Sequence, residues 1–173
     1  MRSASGDSKR KILPLQEVEK VAARARRGSK RVVTTNGCFD ILHVGHIRSL
    51  AYAKSLGDLL IVGVNSDASA RANKGAGRPI VPARERAEIL SALECVDYVF
   101  VFPSKTPIPW IERVRPDIHV KGSDRSLSQI IEREAVEKYG GKVILFPHTK
   151  KHSASTIVSK VLRHYRKRKP ESK

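Results

Sequence analysis

Apolar and polar positions alternate between two rhythms along this chain. Short runs that are apolar throughout, LLIVGVN at 59–65 and YVFVF at 98–102, have the length and β-branched content of strands covered on both sides. Similar runs at 31–36, 117–121 and 142–146 predict three more strands. Between them lie longer amphipathic stretches. Residues 44–56 predict a helix with Ile47, Leu50 and Ala51 on one face, and 84–96 a helix with Ile89, Leu93 and Val96 in register. Further helices are expected at 108–114, after two prolines, at 127–139, ended by Gly140-Gly141, and at 153–168. A helix over 15–27, closed by Gly28, precedes the first strand. Residues 1–11 are polar and basic and are expected to be disordered; 66–82, with Gly75, Gly77, Pro79 and Pro82, read as a mobile loop. Strand and helix alternating five times predict an α/β fold with a five-stranded parallel sheet and right-handed crossovers. Ligands of such sheets bind beyond the carboxyl ends of the strands, which directs attention to 36–46, 65–80, 121–128 and 147–153.

Composition narrows the class. With 173 residues, 40 % of them hydrophobic, the chain is long enough for one domain with a real core. No 18 consecutive residues are apolar, so no membrane-spanning helix is expected. The first 11 residues lack the apolar core of an export signal, and the two cysteines, Cys38 and Cys95, are too few for a disulfide framework; both point to a cytoplasmic protein. No Cys-x-x-Cys pair suggests structural zinc.

Charge is the unusual property: 34 Lys and Arg against 17 Asp and Glu give +17. Such an excess suggests an anionic partner, nucleic acid first. Its distribution argues otherwise. Residues 1–31 hold 10 basic and 3 acidic side chains, and 160–173 hold 7 and 1, so most of the excess sits at the ends. Aromatic residues make up only 5 % and do not interleave with the basic runs, so no specific nucleic-acid site is expected. The mildly positive middle suits a phosphate-bearing ligand.

Chemistry concentrates in the segment NGCFDILHVGH at 36–46, between the first strand and the next helix. His43 and His46 stand three residues apart where that helix begins. Each imidazole has an N–H to donate to a phosphate oxygen, Gly45 allows close approach, and the helix N-terminus adds free amides. This is a place to stabilise charge developing on a phosphate, without a covalent nucleophile. A metal centre is not expected, since only Asp40 is near enough to be a third ligand.

The segment TNGCFDILHVGH resembles the signature of the cytidylyltransferase-like nucleotidyltransferases with their His-x-Gly-His motif. Residues 31–162 are most similar to the adenylyltransferases that activate heptose 1-phosphate, through the blocks LGDLLIVGVNSDAS, RPIVPARERAEILSALECVDYVF, TPIPWIERVRPDIHVKGSD and GGKV. The resemblance implies a Rossmann-like three-layer sandwich, a nucleotidyltransferase domain over 31–162 between basic ends at 1–30 and 163–173, and a homodimer. It implies transfer of a nucleoside monophosphate from a nucleoside triphosphate, carried with Mg²⁺, to a sugar phosphate.

Residue by residue, the resemblance makes His43, His46 and Lys74 the catalytic set. Nucleotide contacts are implied for Asn36, Gly37, Cys38, Phe39, Gly45, His46, Ser153 and Ser155. Contacts to the acceptor are implied for Asp40, Asn65, Asp67, Arg78, Lys121, Gly122 and Asp124. Cys38 falls at a variable apolar position and reads as packing, Asn65-Ser66-Asp67 also reads as a helix cap, and Arg86 reads equally as a site residue or a surface ion-pair partner. Ser153-Ala154-Ser155 departs from the family's Ser-Thr-Thr, and Ser123 replaces a glycine in its Lys-Gly-Gly-Asp. Rival readings within the same superfamily are a glycerol-3-phosphate cytidylyltransferase, against which His148 stands where an arginine is usual, and an FMN adenylyltransferase. From another class, a basic nucleic-acid-binding module is the rival. A dinucleotide-dependent dehydrogenase is excluded, because no Gly-x-Gly-x-x-Gly follows the first strand.

Overall fold

The computed structural model describes residues 8–123, 126–147 and 153–166. Its five strands are β1 (Val32–Gly37), β2 (Leu59–Asn65), β3 (Tyr98–Phe102), β4 (Ile118–Gly122) and β5 (Lys142–Phe146). They form one parallel sheet in the order β3-β2-β1-β4-β5. Val33 pairs with Leu60 on one side and Ile118 on the other. The chain leaves the sheet centre in one direction through β2 and β3, then crosses back to add β4 and β5. The switch point therefore falls between β1 and β4, beyond whose carboxyl ends a crevice opens.

Helices α1 (Leu15–Arg27), α2 (Val44–Ser55), α3 (Asp67–Lys74), α4 (Ala83–Ser91), α5 (Ile108–Val114), α6 (Arg133–Glu137) and α7 (Ala154–Arg166) complete the chain. The period-2 alternation of strand side chains divides the core in two. Val32, Ile61, Phe100 and Phe102 face Val18 and Ala22 of α1, Trp110, Ile111 and Val114 of α5, and Val136 of α6. Val33, Leu60, Val62, Val64 and Val99 face Leu50 and Ala53 of α2 and Ala87 and Leu90 of α4. The result is a Rossmann-like α/β three-layer sandwich.

Several elements differ from expectation. Residues 8–11, expected disordered, include a 3₁₀ turn at Lys9–Lys11, and Lys11 Nζ donates to the carbonyls of Leu93 and Val96 at 3.2 and 2.8 Å. Leu13 N then donates to Val99 O at 2.9 Å, so the described part of the basic N-terminal segment is joined to the sheet edge. The expected loop over 66–82 begins as α3, because Ser66 Oγ caps it by accepting from Ser69 N at 3.2 Å; Gly75 ends it at φ 91°. The expected helix over 127–139 is broken. Ser126 and Gln129 close a capping box around a 3₁₀ turn at Leu127–Gln129, Ile130 turns extended, and only α6 is α-helical. In α4 the buried face is Ala87 and Leu90, whereas Ile89 is 44 % exposed; in α2 Ala51 is exposed and Ala53 buried. Gly140 takes φ 81°, and a Cβ on Gly141 would stand 2.3 Å from Pro116 O, so this pair is what lets α6 turn directly into β5.

Candidate active site

The crevice is a cavity of about 590 Å³. Its floor is the segment after β1. Gly37 allows Phe39 to fold back, since a Cβ there would lie 3.2 Å from the Phe39 ring, and Phe39 itself takes φ 47°. His43 is the N-cap of α2 in extended conformation, and its carbonyl accepts from His46 N at 2.9 Å. This brings the two imidazoles together with ring centroids 3.7 Å apart and 20° between planes; Phe39 meets His46 edge-on at 5.2 Å. His43, Gly45 and His46 all line the cavity at the positive end of the helix.

One wall is the segment 78–81, held by Asp40. Its carboxylate accepts from Arg78 Nη1 at 2.6 Å, Ile80 N at 2.7 Å and Val81 N at 2.9 Å. Burial works to raise the acid's pKa, but the Val81 and Ile80 amides and the Arg78 guanidinium outweigh it, and the group lies below the usual carboxylate range. Arg86, expected either at the site or in a surface pair, is wholly buried behind this wall. Its Nε donates to Val81 O at 2.8 Å, its Nη1 to Cys38 O, and its Nη2 to Asp67 Oδ1 at 2.7 Å. Asp67 also accepts from Ala83 N at 2.8 Å and, unlike the other described residues expected to contact the acceptor, is not among the cavity-lining residues.

On the β2–β3 side the cavity meets Asn65, Ala70, Asn73, Lys74 and Lys105. Asn65 Nδ2 donates to Ser69 Oγ at 2.8 Å, Ser69 Oγ to Ser104 O at 2.8 Å, and Asn73 Nδ2 to Lys105 O at 3.2 Å, which ties α3 to the loop after β3. Cys38 lines the cavity with its Sγ 4.0 Å from Asn65 Oδ1, and burial pushes its thiol pKa up.

On the β4 side Lys121 and Gly122 line the cavity. Lys121 Nζ lies 2.6 Å from Glu132 Oε1 and donates to Asn36 Oδ1 at 3.2 Å. Ser153 and Ser155 close the cavity where α7 begins, with Ser153 Oγ accepting from Thr156 N at 3.1 Å as its cap. Asp124, expected here, lies outside the described residues, as do His148 and the lysines at 150 and 151.

Thus the structure brings together Asn36, Gly37, Cys38, Phe39, Asp40, His43, Gly45, His46, Asn65, Lys74, Arg78, Lys121, Gly122, Ser153 and Ser155 around one space. The sequence reading passed over Lys105 and Glu132. Lys105 had a signal, since it follows the end of a predicted strand; Glu132 had none, lying within an expected long helix. Among the described residues no cluster of three or more His, Cys, Asp or Glu could hold a metal ion.

A family model described as cytidylyltransferase-like matches residues 34–164. The bifunctional protein HldE of Geobacter sulfurreducens is 47 % identical over 160 residues, which cover 92 % of this chain and 33 % of that protein. HldE of Citrifermentans bemidjiense is 48 % identical over 159 residues, with the same shares. The chain spans about a third of the length of the curated relatives it matches. Among solved structures, the lipopolysaccharide core biosynthesis protein of Thermoplasma volcanium superposes with a TM-score of 0.59 at 32 % identity, covering 71 % of this chain and 99 % of that one. Pantoate-beta-alanine ligase of Francisella tularensis has a TM-score of 0.61 at 14 % identity, over 90 % of this chain and 78 % of that one, a likeness of fold alone.

Proposed function

The chain belongs to the cytidylyltransferase-like family, and on that premise we propose that it transfers AMP from ATP to D-glycero-D-manno-heptose 1-phosphate, releasing pyrophosphate. The observation that carries this reading is the charge of the cavity. Its two described acids are both neutralised, Asp40 by Arg78 and Glu132 by Lys121, while Lys74 and Lys105 make no ion pair among the described residues. A positive crevice of this volume, at the switch point of the sheet, suits two phosphate-bearing substrates. The heptose is supported by the VKGSD block at 120–124 and by the lipopolysaccharide role stated for the Thermoplasma volcanium relative.

In this reading an oxygen of the sugar 1-phosphate attacks the α-phosphorus in line, forming one P–O bond as the bond to pyrophosphate breaks. His43 and His46 donate to the oxygens that gain charge in the pentavalent transition state. Lys74, at the end of α3 before Gly75, follows the charge toward the leaving group. Ser153 and Ser155, with the amides of α7, hold the β and γ phosphates. Lys121 and Gly122 receive the acceptor's phosphate. The rest of the rate comes from holding both substrates in register. Mg²⁺ arrives as part of the nucleotide substrate, coordinated by phosphate oxygens, because both described acids of the cavity are committed to cations.

We place the protein in the cytoplasm, where ATP is available and where Cys38 and Cys95 would stay free thiols, and expect it to act as a homodimer. Among the described residues no helix is long and apolar enough to cross a membrane. The test is pyrophosphate release from ATP, CTP and GTP against heptose 1-phosphate, glycerol 3-phosphate and FMN. ATP with the heptose phosphate is the expected pair; turnover only with CTP and glycerol 3-phosphate, or only with FMN, would replace the reading.

A further inference from the structure

Glu132 lines the cavity with its side chain only 4 % exposed, in the turn that interrupts the expected helix. Its Oε1 stands 2.6 Å from Lys121 Nζ, and the same ammonium donates to Asn36 Oδ1 at 3.2 Å. The lysine is thus gripped from two sides, by the turn before α6 and by the end of β1. Behind the carboxylate, His119 Nε2 lies 3.6 Å from Oε1, and His119 Nδ1 lies 2.8 Å from Thr34 Oγ1. The histidine is fully buried and its pKa is lowered by that burial, so it is neutral at physiological pH. The ring thus stands between the Thr34 hydroxyl at Nδ1 and the acid at Nε2. Lys121 is the one full positive charge that meets Glu132 among the described ion pairs.

A lysine that meets a phosphate from free solution gives up its rotamer freedom on binding; one already held has given it up on folding. We propose that Glu132 is a positioning residue: it clamps the Lys121 ammonium at the end of β4, so that the phosphate of the acceptor meets a charge already in place. This rests on the reading above, in which Lys121 takes the acceptor phosphate. Glu132 itself touches no substrate and acts through the lysine.

Glu132→Gln keeps the shape and removes the charge. The KM for the sugar phosphate rises about ten-fold, while kcat stays within about three-fold and the KM for ATP within about two-fold. Combined with Lys121→Met, Glu132→Gln adds nothing further to that KM, because its effect runs through the lysine. Glu132→Asp retains the charge on a shorter arm and recovers part of the loss. An unchanged acceptor KM, an effect that adds fully to Lys121→Met, or a shift in the KM for ATP instead would overturn the proposal. Where Glu132→Gln does not fold, Glu132→Asp carries the test, with an acceptor KM above wild type and an unchanged KM for ATP. Failure of the functional reading shows separately, as a wild-type protein that releases no pyrophosphate with any substrate pair. The clamp is then read by calorimetric titration of inorganic phosphate: weaker binding to Glu132→Gln supports it, and equal binding overturns it.

Discussion

The imidazoles of His43 and His46 lie stacked, 3.7 Å between centroids and 20° between planes, where α2 begins. Such a pair presents two donors toward one side of a phosphate. Removing one donor to transition-state charge typically costs about 10²–10³ in rate. His46→Ala is therefore expected to lose turnover by that factor with its circular dichroism and melting temperature close to wild type. Near-normal pyrophosphate release would remove the motif from the catalytic machinery.

Lys121→Met leaves the Glu132 carboxylate buried without its counterion. Stability should fall by about 3 kcal/mol, and adding Glu132→Gln should restore part of it, since the orphaned charge is then gone. Urea unfolding of the two single variants and the double variant measures this. In calorimetric titrations the same lysine variant should weaken the sugar phosphate more than the nucleotide; equal losses would count against the division of the pocket.

Acid sensitivity follows from the same pair. Burial alone would raise the Glu132 pKa, but the nearby His119 imidazole and the Lys121 ammonium hold it at about 2, against 4.5 for an ordinary glutamate. The folded state thus keeps the proton off more strongly than the unfolded chain. The resulting stability is fully present above pH 4.5 and is lost as pH falls toward 2. Its size is on the order of 3 kcal/mol. Glu132→Gln should flatten stability against pH in this window, and an unaltered slope would contradict the assignment.

Arg86 is wholly buried and holds Asp67, Val81 O and Cys38 O together. Arg86→Met leaves the Val81 and Cys38 carbonyls without their donor, while water can reach the half-exposed Asp67 carboxylate, and should cost about 1–3 kcal/mol. Arg86→Lys should recover little, because a single ammonium cannot reach three acceptors in a planar fork. Chemical denaturation of both variants reports the difference.

The sheet was legible because its strands are covered on both faces and so spell continuous apolar runs, as at Leu59–Asn65. Helices that bury little were not. The helix α3 hides only Ser69 and Ala70, which leave no apolar stripe in a polar segment. The stretch at 127–139 has helical composition, but its capping box closes after one turn and swings Glu132 inward to Lys121. No periodicity reveals an ion pair between side chains eleven residues apart. Within the site, His43 and His46 were visible because motif, glycine and helix start coincide. Asp67 and Arg86 carry the same residue types as a binding site yet brace each other, a pairing set by the fold and not by residue type.

The ties made by Arg86 also decide which way the crevice can yield. The segment after β1, the wall at Val81 and the start of α3 share one guanidinium, so none of them can swing without the others. Gly75 and Gly77, by contrast, take φ of 91° and 84° with nothing within 4 Å of where a Cβ would be. The rim is braced on the flank of Arg86 and bounded on the other by glycines whose backbone conformation a side chain would strain.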